Sequence, residues 1–317
     1  MSNDWIDSPD EDEVYAAPVY WKDDKTYVPK GSRAHWSEVE EGVFSQFYSS
    51  GAKLPSGTYR CVMRPDHGIC LQKVESKSDE LILLPDNVSG NLISEARRFW
   101  LAGDEFRKRG FLHKRGFLLM GPAGCGKTCI INQVADYVLN ELGGLVLLVT
   151  EPARAELALA ALRQVEPERA VLAVMEDIDS MLGDEQEERL LSFLDGKTQI
   201  DHVLFIATTN YPERLDPRFL SRPSRFDRVE VIQAPGAEVR RAYLERRASD
   251  LPADELDRWV EASDGFSIAH LKELILAVKC LGADLNETAE RLKDGLKQKH
   301  TSENFTRPRM GFARNGR

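Results

Sequence analysis

A chain of 317 residues has room for two domains, and 42% hydrophobic with 30% charged residues is the balance of an ordinary globular protein. No apolar run approaches a membrane span, and the opening MSNDWIDSPDEDE lacks the basic start and apolar middle of a signal peptide, which argues against membrane integration and secretion. A formal net charge of −10 disfavours broad nucleic-acid binding, and five cysteines, an odd number, read as free thiols of a cytoplasmic protein.

Residues 1–36 are acidic and interrupted by Pro9, Pro18 and Pro29, the pattern of a flexible arm. Residues 1–41 hold eleven Asp or Glu against four Lys or Arg. Residues 37–86 read as a small α+β module. SEVEEGVFSQFYSSG is expected as a short helix ended by Gly51, TYRCVM and ICLQKV as strands around the turn Pro65-Asp66-His67-Gly68, and ELILLP as a third strand.

From 87 to 235 strand and helix alternate. FLLM (117–120), LVLLVT (145–150), AVLAVME (170–176), HVLFIATT (202–209) and VEVIQ (229–233) are short apolar runs separated by helical stretches, beginning with KTCIINQVADYVLNEL (127–142). Such runs suit a five-stranded parallel sheet sandwiched by helices, an α/β fold. Residues 236–296 then carry helical spacing at Ile268, Leu271, Leu274, Ile275 and Val278, the mark of a small helical domain. The tail 297–317 is basic; residues 291–317 hold eight Lys or Arg against two acids.

Gly121-Pro122-Ala123-Gly124-Cys125-Gly126-Lys127-Thr128 is a P-loop between a strand and a helix, with Cys129 directly after it. Its glycines let backbone N–H groups curl around phosphate oxygens at a helix N-terminus, Lys127 reaches the β- and γ-phosphates, and the Thr128 hydroxyl binds Mg²⁺. ATP with Mg²⁺ is the cofactor pair this implies. AVLAVMEDID ends a strand in Glu176-Asp177, with Asp179 two residues on. One carboxylate there would complete the metal shell and the next would orient or deprotonate water. Asn210 ends a further strand, placed to hydrogen-bond water or the γ-phosphate, and Arg222 and Arg225 in SRPSRFDR suit bidentate phosphate contact.

The P-loop, the acidic strand end, TTNYPERLDP and SRPSRFDR stand in the order and spacing of AAA+ ATPases, which the chain resembles over about 84–280. Within that superfamily it most resembles the branch of the mitochondrial ATPase that translocates the Rieske iron–sulfur protein, through residues 84–128 and the acid order Glu-Asp. The resemblance implies a P-loop ATPase module with a helical lid. It implies that Lys127 and Thr128 are the phosphate and magnesium residues, Glu176 the metal-shell carboxylate, Asp177 the catalytic base and Asn210 the sensor. Arg222 and Arg225 match paired arginine fingers that act on ATP in the neighbouring subunit, so a homo-oligomeric ring, a hexamer or similar, is implied. Ile268 and Ala269 stand where some members carry a further sensor arginine.

Two departures matter. The segment 150–169 has no aromatic and no Gly, unlike the loop that ring unfoldases use to thread polypeptide, and no membrane span accompanies it. Cys61, His67 and Cys70 invite a zinc reading without an evident fourth ligand, so packing is expected there. His113 and His270 could approach adenine by position, though ordinary polar contacts are expected of them. The sequence reading is an ATPase ring that remodels a protein or protein complex, reached through its N-terminal module. The alternatives are a nucleic-acid-associated switch or loader, favoured by the basic tail, and a nucleotide-binding scaffold with slow turnover, favoured by Asp177.

Overall fold

The computed structural model describes residues 34–48, 53–65, 67–75, 87–181, 184–195, 200–221 and 225–297. Its strands are β1 (Ala34–Glu40), β2 (Val43–Tyr48), β3 (Gly57–Arg64), β4 (Gly68–Val74), β5 (Lys114–Met120), β6 (Leu145–Leu148), β7 (Val171–Met175), β8 (Val203–Thr209) and β9 (Arg228–Val231). They form one sheet in the order β1-β2-β4-β3-β6-β7-β8-β5-β9. From β3 across to β9 each neighbouring pair is parallel, whereas β1, β2 and β4 are paired antiparallel. The five-stranded parallel core expected from the sequence is therefore β6-β7-β8-β5-β9.

Parallel neighbours need crossovers, and the chain supplies helices for them. They are α1 (Asn87–Leu101), α2 (Gly103–Lys108), α3 (Lys127–Asp136), α4 (Pro152–Val165), α5 (Ile178–Met181), α6 (Asp184–Asp195) and α7 (Pro217–Ser221). Period-two alternation sends successive strand residues to opposite layers. Leu145, Leu147, Ala173, Met175, Phe205 and Ala207 pack with Ala158 and Leu162 of α4 and Leu190 and Leu194 of α6. Val146, Leu172, Val174, Leu204 and Ile206 pack on the other side with Leu92 and Phe99 of α1 and Ile130 and Val134 of α3. Every residue of β7 and β8 is buried, which is why those runs are apolar without a break. Each large side chain so removed from water contributes roughly 1.5–3 kcal/mol.

The described residues divide into two compact units, one through Gln233 and one from Ala234. The second holds α8 (Ala237–Arg247), α9 (Ala253–Ala262), α10 (Ile268–Ile275) and α11 (Leu285–Lys297). Trp259, Phe266, Leu271 and Leu274 form its core.

The helix expected over 37–51 is replaced by the β1–β2 hairpin. Val39, Val43 and Phe47 are four apart and imitate a helix face. Gly42 turns the chain instead, with φ +71, and its N–H is accepted by the Glu38 carboxylate at 2.7 Å. Phe44 then lies opposite Leu71 of β4, in one cluster with Trp36 and Tyr59. These strands extend the main sheet, because β3 lies parallel against β6, with Gly57 opposite Leu145 and Arg60 opposite Leu148. The α+β reading of 37–86 is corrected accordingly for the described part. The expected ELILLP strand, the acidic arm up to residue 33 and the tail beyond 297 lie outside the described residues.

Candidate nucleotide site

Parallel pairing brings the C-terminal ends of β5, β7 and β8 to one edge, with β8 between the other two. The P-loop follows β5, Glu176 and Asp177 follow β7, and Asn210 follows β8. This is the edge at which open parallel sheets bind ligands. Gly121 leaves β5 with φ +147, and a Cβ there would meet the Ile232 carbonyl oxygen at 2.0 Å, so no other residue fits. Pro122, Ala123, Gly124, Cys125 and Gly126 complete the turn into α3.

Lys127 opens α3 and is buried. Its Nζ donates to the Gly121 carbonyl at 2.7 Å, the Pro122 carbonyl at 2.9 Å and Asn210 Oδ1 at 2.7 Å. Three neutral acceptors thus match its three donors. Burial pulls its pKa below the usual lysine value, with Asp177 and Asp179 among the groups that oppose the shift. A buried cation with no carboxylate in hydrogen-bond contact, on a Gly-rich turn at a helix start, is a fit for phosphate. Beside it, Thr128 Oγ1 donates to Glu176 Oε1 at 2.7 Å. Hydroxyl and carboxylate oxygens are the ligands Mg²⁺ takes, so these two residues fit that ion.

Asn210 joins the two halves. While its Oδ1 accepts from Lys127, its Nδ2 donates to Asp177 Oδ1 at 2.9 Å. Asp177 has a left-handed backbone, φ +49, a conformation uncommon outside glycine that aspartate adopts more readily than most residues. Its backbone N–H donates to Thr208 Oγ1 at 2.9 Å, and its carbonyl accepts from Ser180 N at 2.8 Å and Ser180 Oγ at 2.7 Å. One strand over, Thr209 Oγ1 donates to Asp179 Oδ1 at 2.6 Å and accepts from Tyr211 N at 3.0 Å. Sequence reasoning missed Thr208, Thr209 and Ser180. The only sign of the two threonines was the hydroxyl pair directly before Asn210, which reads equally well as strand-forming threonine.

Arg225 is 4% exposed and grips Asp195 of α6 with two bonds, Nε to Oδ1 at 2.9 Å and Nη2 to Oδ2 at 2.7 Å, while Nη1 donates to the Arg218 carbonyl at 2.7 Å. None of the hydrogen bonds described for it reaches the P-loop. Arg222 lies outside the described residues. Cys125 is buried, which pushes its thiol pKa up, and Cys129 accepts from Gln133 Nε2 at 3.4 Å.

His113 precedes β5 while the P-loop follows it, so a seven-residue strand, roughly 20 Å, separates them. His113 makes the ordinary polar contacts expected of it. Its Nε2 donates to the Phe99 carbonyl at 2.7 Å, and its Nδ1 lies 2.8 Å from His202 Nδ1. His270 caps α10 with Ser267, its Nδ1 2.6 Å from Ser267 Oγ. Cys61 pairs opposite Leu71 and Cys70 opposite Val62, so strand alternation sets the two thiols on opposite faces. Among the described residues no group of three or more His, Cys, Asp or Glu is placed to hold a metal ion.

Sheet, loop and acidic strand ends together define a P-loop nucleotide-binding protein. Residues 117–234 match the ATPase family associated with various cellular activities, AAA. This chain belongs to that AAA family. The probable mitochondrial chaperone bcs1 of Schizosaccharomyces pombe is 30% identical over 227 residues, 67% of this chain and 49% of that protein. The ATP-dependent zinc metalloprotease FtsH of Hahella chejuensis is 33% identical over 192 residues, 54% of this chain and 31% of the relative. The cell division cycle protein 48 homolog of Archaeoglobus fulgidus is 31% identical over 186 residues, 53% of this chain and 25% of the relative. The chain spans half or less of the length of these curated relatives.

Proposed function

We propose that this chain hydrolyses ATP to ADP and phosphate with Mg²⁺, as a subunit of a homo-oligomeric ring that remodels a protein or protein complex. The observation that carries the chemical part is the unbroken chain Lys127–Asn210–Asp177, with Thr128 and Glu176 paired beside it. Lys127 exchanges its neutral acceptors for the β- and γ-phosphate oxygens, and that exchange releases the Asn210 amide. Thr128 and Glu176 hold Mg²⁺, which supplies charge neutralisation on the phosphates. Asn210 keeps the Asp177 carboxylate aimed, and Asp177 accepts the proton of the attacking water through its second oxygen, then returns it to solvent.

The mechanical part rests on less direct support. β6 ends at Leu148 and α4 begins at Pro152, so three residues join them and no long loop projects there. The client is therefore engaged by some means other than threading past that connection. The added strands β1–β4 are the surface assigned to it. Arg222 is assigned the finger role in a neighbouring subunit. The acidic composition makes a protein, rather than nucleic acid, the partner class. Among the described residues no helix is long and apolar enough to cross a membrane.

Lys127→Ala tests the site itself. It removes the charge that meets the phosphates, so a fluorescent-nucleotide titration should lose ATP binding. Undiminished affinity would remove Lys127, and the P-loop with it, from the proposed site.

A further inference from the structure

Asp177 stands where most AAA+ sequences carry a side chain one methylene longer, and its backbone is left-handed. Among the described residues only Asp177 and His202 adopt positive φ without being glycine. Such a conformation persists where the surroundings over-determine it, and here four hydrogen bonds do so. Thr208 takes the N–H, Ser180 holds the carbonyl twice, and Asn210 takes one carboxylate oxygen. The Ser180 contacts close a local turn. The Thr208 contact differs: it reaches across from β8, whose residue Ala207 pairs with Met175 of β7, so it ties the start of the acidic turn to the neighbouring strand. Thr208 is 2% exposed, shielded from competing water.

We infer that Thr208 is a positioning residue for the proposed base: its buried hydroxyl holds Asp177 in the left-handed conformation that aims the short carboxylate. This rests on the reading of Asp177 as base, and it extends that reading. Backbone handedness sets the direction of the Cα–Cβ bond, so a short side chain in this conformation has its own fixed reach. The site is matched to aspartate together with Thr208, not to a carboxylate of any length. Two consequences separate this from a merely structural threonine. Removing the hydroxyl should lower kcat and leave nucleotide affinity alone, because Thr208 makes no described contact with Lys127 or Thr128. Lengthening Asp177 to glutamate should also lower kcat.

The test compares Thr208→Val, Thr208→Ser, Asp177→Asn, Asp177→Glu and the double variant Thr208→Val/Asp177→Asn in the full chain, with phosphate release and ATP titration as readouts. Thr208→Val is expected to lose about tenfold or more in kcat with ATP affinity within twofold. Thr208→Ser, which keeps the hydroxyl, should recover most of that loss. In the Asp177→Asn background, Thr208→Val should cost nothing further, since the group it positions is already gone. Wild-type kcat in Thr208→Val, or an equal loss in both backgrounds, overturns the inference while leaving Asp177 as base. Wild-type turnover in Asp177→Asn overturns the base itself. Should Thr208→Val not fold, Asp177→Glu still decides: at least a threefold loss of kcat supports the matched geometry, and wild-type or faster turnover contradicts it.

Discussion

Arg225 and Arg222 are three residues apart and SRPSRFDR treats them alike, yet Arg225 has a structural partner that the motif does not announce. The Nε–Nη2 edge of Arg225 meets both oxygens of the Asp195 carboxylate, and Nη1 takes the Arg218 carbonyl. The guanidinium is almost wholly buried, while Asp195 is partly exposed. Removing one partner of such a pair leaves the other charge poorly solvated, a loss on the order of 3–5 kcal/mol for fully buried cases and less here. Arg225→Ala is expected to destabilise the fold by about 2–3 kcal/mol in urea denaturation. Arg222→Ala is expected to leave the denaturation midpoint within error and lower kcat instead. Equal stabilities with equal kinetic losses would restore Arg225 to the finger role. The resemblance implied one role for the two arginines; the acceptor of Arg225, Asp195, lies thirty residues away, and only the fold brings it near.

At the scale of elements, β5 and β8 organise the molecule. Their seven aligned pairs, Lys114 opposite Val203 through Met120 opposite Thr209, deliver Gly121 and Asn210 side by side. At the other end the same register sets His113 beside His202. His113 is 2% exposed, within ring contact of Phe99, Trp100, Phe106 and His202. Burial pushes its pKa below the usual histidine value; His202 and Arg107 push the same way, and the Phe99 carbonyl and Asp201 oppose them. The unfolded chain therefore binds a proton that the native state resists. This contribution is fully present above the unfolded histidine pKa of about 6.5 and is lost as pH falls through the lower folded value. Thermal midpoints measured from pH 7.5 down to 5 should drop for the wild type and drop less steeply for His113→Gln. Parallel slopes would show that His113 does not carry the acid sensitivity.

These strands also show what was legible. β7 and β8 are buried on both faces, so an unbroken apolar run was an unambiguous signal. The β1–β2 hairpin was not, because a half-buried strand with polar interruptions mimics a helix at four-residue spacing, and only the partner strand β4 decides. The charged P-loop, Glu176, Asp177 and Asn210 were likewise legible, since each has a residue type that its chemistry requires. Thr208, Thr209 and Ser180 were not, because a hydroxyl that holds a backbone group has no sequence mark of its own.

At the scale of the whole molecule, the proposed nucleotide site and the strands proposed to engage a client belong to different parts of the chain. The groups that a subunit supplies to its own proposed site come from residues 121–210, all within the first compact unit. The N-terminal strands enlarge that unit's sheet without touching Lys127, Glu176, Asp177 or Asn210 in any described hydrogen bond. A change in client engagement can therefore leave the chemical step intact, and the chemistry is separately testable. Asp177→Asn is the most direct measurement. The amide can still accept the Asn210 hydrogen bond through its oxygen, so the site should keep its shape and bind ATP with near-native affinity. It cannot take the proton of water, so phosphate release from Mg-ATP should fall by a factor on the order of 10² or more. Native affinity with that loss of turnover is the result expected of an ATPase whose base is Asp177. Native turnover in the variant, or no phosphate release from the wild-type chain under any assembly condition, would contradict the account.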